Sequence, residues 1–201
     1  MYHNPVLLKK SVDDLVTNPG GIYVDVTFGG GGHSREILEK LSPKGKLYSF
    51  DQDLDALKNT IEDERFTLIN QNFRFLENSL MAFGISKVDG VLADLGVSSH
   101  QFDEAKRGFS TRSNAPLDMR MNVMQHLDAK KVINEYEEDQ IADLLYYYGE
   151  LRDGRKLARE IVRVRKTKVI ETTDDLKSIF SFIPAFKQNK FFAQVFQAIR
   201  I

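Results

Sequence analysis

The 201-residue sequence contains no cysteine, which removes several kinds of site at once. Disulfide bonds, thiolate zinc sites and cysteine nucleophiles are all excluded, and a chain without cysteine agrees weakly with a reducing compartment. Only four histidines are present, and no two of them have the spacing of a metal-binding pair. We therefore expect no bound metal.

The sequence also lacks a strong excess of one charge and a long apolar run. Its formal net charge is −1, so any surface that attracts nucleic acid must be local. The N-terminal residues lack the apolar core of a signal peptide. No run approaches the roughly 20 apolar residues of a membrane span. We expect a soluble, cytoplasmic protein with no membrane partner.

Short apolar runs alternate with helical patterns in the first half of the chain. The candidate strands are 22–28, 46–51, 66–70 and 88–94. This alternation predicts a doubly wound parallel α/β sheet. Residues 95 to about 124 show no sustained period, which is typical of a long functional loop. From residue 129 onward the pattern predicts only helices.

Four consecutive glycines, at 29–32, join the first strand to the next helix. Glycine lets the backbone come very close to a ligand, and a helix N-terminus presents free N–H groups. Ser34 is expected to cap this helix. The layout is typical of a nucleotide-type cofactor site, although any tight strand–helix connection can also use glycine.

Acidic residues end two of the predicted strands. Asp51 lies about 20 residues after the glycines, where an acid accepts hydrogen bonds from ribose hydroxyls. It could instead cap a helix, a role also open to Asp53. Phe73 could lie beside an adenine or pack in the core. Asp94 ends the strand expected next to the first one, at the topological switch point. A nicotinamide cofactor and S-adenosylmethionine both fit, and Asp94, which hydride transfer does not need, favours the latter.

Beyond these residues, motifs along essentially the whole chain match a known family. The chain resembles the bacterial 16S ribosomal RNA (cytosine-N4)-methyltransferases of the MraW type, which act on a cytidine in the decoding region of the small subunit. The matching segments are HNPVLL at 3–8, DVTFGGGGHS at 25–34, DQD at 51–53, VDGVLADLGVSS at 88–99, QFD at 101–103, RGFS at 107–110, PLDMRM at 116–121, YGE at 148–150, TT at 172–173 and FQAIRI at 196–201.

The resemblance implies a Rossmann-like class I S-adenosylmethionine-dependent methyltransferase sheet. It implies a cofactor-binding domain at 1–109 and a helical substrate-recognition domain at 110–201. The expected partner is then 16S ribosomal RNA in the small ribosomal subunit. We also consider a homodimer of this chain. The cofactor contacts fall on Gly31, Gly32, His33, Asp51, Phe73, Asp94 and Gln101.

Methylation of an exocyclic amine needs a hydrogen-bond acceptor, because the amine lone pair is delocalised into the base. Asp94 is the leading candidate for this catalytic role by its position. Ser98 and Asp118 are weaker candidates. The aromatic residue that stacks on the base is not identified, and Phe102 and Phe109 are only guesses.

Eight basic residues lie between positions 152 and 168, with Asp153 and Glu160 as the only acids. Such a run is usually a solvated helix face. With the resemblance, a phosphate-binding face is favoured, and we expect RNA contacts from Arg155, Arg159, Arg163 and Arg165. The acidic cluster at 135–139 is expected to face away from RNA.

Members of the family continue beyond the motif that ends at Ile201, and that extension supplies further strands. We therefore expect a truncated chain with only the first four strands of the family's sheet. Two alternatives stay open at this point. One is a nicotinamide-dependent oxidoreductase, and the other is a non-catalytic fragment that binds cofactor or RNA.

Overall fold

The first half of the chain forms a four-stranded parallel sheet in the computed structural model, which describes residues 5–200. The strand order is β3-β2-β1-β4, so the fourth strand lies beside the first, as predicted. The elements are α1 (Leu8–Leu15), β1 (Ile22–Asp25), α2 (Gly32–Lys40), β2 (Lys46–Phe50), β3 (Phe66–Ile69), α3 (Leu76–Ala82) and β4 (Gly90–Leu92). The predicted α/β class is confirmed.

Both faces of this sheet are covered, because successive residues of a strand point to opposite sides. On one face Tyr23 packs in a cluster with Val12 and Ile37 from α1 and α2. On the other face Val24 packs with Phe50 and the α3 residues around Leu80. Strands buried on both faces are typical of parallel sheets with helices on either side.

Several local predictions need correction. The helix after β1 begins at Gly32 with Gly31 as its N-cap, so the prediction that Ser34 caps it is wrong. The predicted helix after β2 is only a 3-10 helix, Leu54–Asn59, and Asp53 caps it through a hydrogen bond from the Asp55 N–H. The strands are also shorter than predicted, by one residue each for β2 and β3 and by more for β1 and β4.

The second half of the chain is helical. It contains α4 (Ser99–Asp103), α5 (Ala129–Glu135), α6 (Glu138–Tyr147), α7 (Gly154–Arg165), α8 (Thr173–Ile179) and α9 (Ala185–Ile199). Ile141, Leu145, Ile161, Phe180 and Phe196 are among its fully buried side chains. The stretch from residue 95 to about 124, which we expected to be a loop, contains the short helix α4.

The chain divides into two units, Met1–Ser98 and Ser99–Ile201. The functional boundary that we expect after residue 109 concerns the roles of the two parts and stays a prediction. Within residues 5–200, no helix combines the length and apolar character needed to span a membrane.

Gly45 lies immediately before β2, where there is no room for a side chain. A Cβ atom there would lie 2.6 Å from the carbonyl oxygen of Pro19 and 3.0 Å from the Cβ of Leu41. We expect Gly45→Ala to lower the free energy of unfolding by about 1–3 kcal/mol, measured by denaturant titration. Gly20→Ala is the control, since its Cβ would have no neighbour closer than 3.6 Å. Equal effects of the two substitutions would contradict the prediction.

Candidate functional site

The glycine turn after β1 adopts backbone conformations that favour glycine. Gly29 has φ 51° and Gly31 has φ 75°. A Cβ on Gly31 would lie 2.9 Å from the ring of Phe28, whereas the position of a Cβ on Gly29 has nothing within 4 Å. The turn is thus tightly packed at Gly31 and open at Gly29. It leads into the start of α2, whose first N–H groups have no partner inside the helix.

Side chains from three directions hold this turn in place. The Gly29 N–H donates to Asp51 Oδ2 at 2.7 Å. Asn59 Nδ2 donates to the Gly29 carbonyl oxygen at 3.1 Å, and Arg35 Nη1 donates to the Gly30 carbonyl oxygen at 2.6 Å. The protein's own side chains therefore hold the turn in this conformation.

Asp51 follows β2 and belongs to the turn network. Its Oδ1 accepts the Asp53 N–H at 2.9 Å, and its Oδ2 accepts the Gly29 N–H. A carboxylate has about four lone pairs, so Asp51 can still accept a hydroxyl hydrogen. Burial raises the pKa of Asp51, against the lowering effect of these backbone hydrogen bonds. The alternative interpretation of Asp51 as a helix cap is wrong, because Asp53 caps the turn.

Phe73 and His33 lie in very different surroundings. Phe73 is 43% exposed at the start of a 3-10 helix that Asn72 caps, so the core-packing alternative is wrong. Asn72 Nδ2 also donates to Gln52 Oε1 at 2.8 Å, which joins the Phe73 turn to the segment after Asp51. His33, in contrast, is buried in the first turn of α2.

Asp25 is a fully buried carboxylate beneath the glycine turn. Its Oδ2 accepts the Ser34 hydroxyl at 2.7 Å, and Ser34 Oγ lies 2.8 Å from Ser49 Oγ on β2. Its Oδ1 accepts the Thr27 N–H at 3.0 Å and the Thr27 hydroxyl at 3.3 Å. Burial raises the pKa of Asp25 despite these hydrogen bonds. The sequence signals for this residue are an acid inside a predicted buried strand and its place as the first residue of the motif at 25–34.

Asp94 follows β4 and is exposed. Its N–H donates to Thr27 Oγ1 at 2.8 Å, which joins the end of β4 to the residues after β1. Ser98, four residues further on, is half-buried at the end of the same unit. Since parallel strands end at one edge of a sheet, Gly31, Gly32, His33, Asp51, Phe73 and Asp94 all follow the same edge.

Gln101 and Asp118 belong to the second unit. Gln101 is buried in α4. Phe109 is only 1% exposed, so it is a core residue in this unit and not an open stacking surface. Phe102 is 41% exposed, with the Arg200 guanidinium 5.8 Å from its ring centre.

Asp118 organises the loop that contains it. Its two oxygens accept hydrogen bonds from Arg120 Nε at 2.9 Å and Nη2 at 2.6 Å. The same guanidinium donates to the carbonyl oxygens of Val123 and Gln125, and Arg107 donates to the carbonyl oxygen of Arg120 at 2.8 Å. Burial raises the pKa of Asp118, but the hydrogen bonds and charge of Arg120 outweigh it, so the net shift is downward.

The basic run forms a stripe along the exposed side of α7 and the residues that flank this helix. We use "basic stripe" for the cations at 152, 155, 156, 159, 163 and 166, which recur at helical spacing and are all exposed. Arg159 lies 3.6 Å from Glu138, and Arg163 pairs with Glu160 at 2.7 Å. Arg165 lies on the buried side instead, where it donates to the Ile133 carbonyl oxygen at 2.8 Å.

The acidic cluster at 135–139 contacts the basic stripe at one point, where Glu138 lies against Arg159. That this cluster faces away from RNA stays a prediction. As for metals, no group of three or more histidine, aspartate or glutamate side chains within residues 5–200 could hold a metal ion.

Comparison with known proteins identifies a family that this chain matches. The model of the MraW methylase family matches residues 1–201. The chain is 62% identical over 201 residues to "Ribosomal RNA small subunit methyltransferase H" of Christiangramia forsetii and 58% identical to the protein of that name in Flavobacterium johnsoniae. The protein of that name in Phocaeicola vulgatus is 52% identical over 204 residues. These alignments cover all of this chain and 67%, 67% and 66% of the relatives.

Removing the titratable carboxyl group of Asp25 should change how stability depends on pH. Because the folded protein binds this proton more tightly than the unfolded chain, its contribution to stability is fully present below pH 3.8 and is lost as the pH rises through the raised pKa. Asp25→Asn keeps an acceptor for Thr27 and removes the titration. We expect a flatter profile in denaturant unfolding as the pH rises above about 4, the ordinary pKa of this carboxyl group. Parallel profiles for the two proteins would refute this, and Asp51, whose pKa is also raised, contributes equally to both.

Proposed function

Because this chain belongs to the MraW methylase family, we propose that it transfers a methyl group from S-adenosylmethionine to the N4 amine of a cytidine in the decoding region of small-subunit ribosomal RNA. The match along the whole chain carries this proposal. The relatives' printed name supports ribosomal RNA of the small subunit as the substrate. Membership of a methylase family also decides against the nicotinamide-dependent oxidoreductase.

The first unit suits S-adenosylmethionine in its chemistry. The open side of the turn at Gly29 admits a ligand against the backbone, and Asp51 has lone pairs left for ribose hydroxyls. Gly31, Gly32 and His33 lie at the start of α2, where the helix favours a carboxylate. Phe73 offers an exposed ring, and Gln101 stays a prediction from the family resemblance. The bound cofactor would supply an electrophilic methyl group on a sulfonium sulfur.

Asp94 is the residue that we propose to activate the amine. The N4 lone pair of cytosine is delocalised, so an acceptor must draw on an N4–H bond while the nitrogen attacks. The new bond joins N4 to the methyl carbon, the carbon–sulfur bond breaks, and the N4 proton passes to the Asp94 carboxylate. The base must first leave its stack to reach a protein pocket.

The other two catalytic candidates have weaker support. Both oxygens of Asp118 accept hydrogen bonds from Arg120, so this carboxylate already orders its own loop. Ser98 lies four residues after Asp94, and its hydroxyl is a weaker acceptor than a carboxylate. Both stay predictions, and we assign the main catalytic role to Asp94.

We propose that the second unit contacts RNA through the basic stripe. Exposed cations at helical spacing can follow a phosphate backbone, and each phosphate contact releases counterions. Arg155 is the most suitable of the predicted residues, since Arg159 and Arg163 have acidic neighbours. Arg165 is engaged with the Ile133 carbonyl, so we leave it out of the proposed surface. We place the reaction in the cytoplasm, and the homodimer stays a prediction.

Asp94 can be tested by removing its charge at almost constant shape. We expect Asp94→Asn to lower kcat by about 100-fold or more, because general-base assistance is lost. The assay follows transfer of a labelled methyl group to small ribosomal subunits and to naked RNA, with N4-methylcytidine identified by mass spectrometry. Asp14→Asn, at an exposed position of α1, is the control. Full turnover of Asp94→Asn, or methylation at another atom, would refute the proposal. Binding without any transfer would favour the non-catalytic fragment.

The basic stripe can be tested by the salt dependence of RNA binding. We expect the double substitution Arg155→Gln and Lys156→Gln to weaken binding and to reduce the slope of log Kd against log salt by about one for each lost phosphate contact. Lys44→Gln, an exposed lysine in the first unit, should leave the slope unchanged. A slope that does not differ between the double variant and the unchanged protein would exclude these residues from the RNA surface.

A further inference from the structure

The ladder between β1 and β4 ends just before Asp94. The last backbone hydrogen bond runs from the Val26 N–H to the Leu92 carbonyl oxygen at 2.9 Å. Asp94 lies beyond this bond and is exposed. Its N–H nevertheless has an acceptor, Thr27 Oγ1, at 2.8 Å. The side chain of Thr27, just after β1, thus supplies the hydrogen-bond acceptor for Asp94 where the backbone ladder has ended.

The direction of the hydrogen bonds at Thr27 is settled by chemistry. A backbone N–H can only donate, so Thr27 Oγ1 must be the acceptor toward Asp94. The hydroxyl hydrogen is then directed to Asp25 Oδ1, 3.3 Å away. The same oxygen accepts the Thr27 N–H at 3.0 Å, so both the backbone and the side chain of Thr27 are held by one carboxylate.

Asp25 is itself fixed from the other side. Its second oxygen accepts the hydroxyl of Ser34 in α2, and Ser34 contacts Ser49 in β2. A continuous series of hydrogen bonds therefore runs from β2 and α2 through Asp25 and Thr27 to the backbone of Asp94. All of its members except Thr27 and Asp94 are fully buried.

We propose that Thr27 is a positioning residue for Asp94: its hydroxyl oxygen holds the backbone of Asp94, after β4, close to the chain that leads from β1 into the glycine turn. The inference rests on the proposed function, since positioning serves catalysis only if Asp94 accepts the proton of the amine. Thr27 has no direct part in the chemistry. It fixes the point from which the Asp94 side chain extends.

The first test measures the hydrogen bond itself, without cofactor or RNA. Thr27→Val has nearly the same shape but no hydroxyl, and Thr27→Ser keeps the hydroxyl. In amide hydrogen exchange followed by NMR, we expect Asp94 to exchange at least about tenfold faster in Thr27→Val and slowly again in Thr27→Ser. The Val26 amide, bonded to Leu92, reports any general loosening and should stay protected in both.

The second test measures catalysis. We expect Thr27→Val to lower kcat by about 10- to 100-fold while KM for S-adenosylmethionine changes little, because a displaced acceptor affects the transition state more than binding. Thr27→Ser should restore most of kcat. Thr67→Val, in β3, is the matched control for a threonine-to-valine change in the same sheet.

The outcomes separate this inference from the proposed function. Equal Asp94 exchange in Thr27→Val and the unchanged protein overturns the inference, whatever the activity. Faster exchange with unchanged kcat also overturns it, because the bond then serves the backbone alone. If the unchanged protein transfers no methyl group, the proposed function fails on its own evidence, and the exchange measurement still decides whether Thr27 holds Asp94.

Discussion

The need to satisfy one buried carboxylate, Asp25, governs the arrangement of the first unit. A carboxylate removed from water is costly unless several donors surround it. Here the donors are the N–H and the hydroxyl of Thr27, after β1, and the hydroxyl of Ser34 in the first turn of α2, with Ser49 of β2 behind Ser34. Because Ser34 must reach this carboxylate, α2 has to begin early enough to place its hydroxyl inside the protein. The glycine turn is the short connection that makes this early start possible.

The parallel topology then determines which residues meet. Each strand ends at the same edge, and each is followed by a polar or exposed group, from the glycine turn after β1 to Asp51, Phe73 and Asp94. At β4 the ladder stops before Asp94, and the N–H of Asp94 donates to a side chain, Thr27 Oγ1, instead. The site is thus an outcome of strand order combined with early strand endings.

The order of elements and the sheet class were predictable from hydrophobic periodicity, since buried strands and amphipathic helices have distinct spacings. Asp51 and Asp94 were predictable from their places after strands. The start of α2 was not, because Ser34 has the side chain of a helix cap and its partner Asp25 lies in another element. The hydrogen bond from Arg165 to the Ile133 carbonyl oxygen was not predictable either, since it forms only because α7 packs against α5. Local patterns do not contain such contacts between distant segments.

The loop around Asp118 shows how an irregular segment can be rigid. Its carbonyl groups at 120, 123 and 125 accept hydrogen bonds from the guanidinium groups of Arg107 and Arg120, in place of partners from a helix or a sheet. The conformational entropy lost in ordering these residues is therefore lost when the chain folds. A ligand that meets the loop later encounters a preorganised surface, and its binding free energy is not reduced by a disorder-to-order transition there.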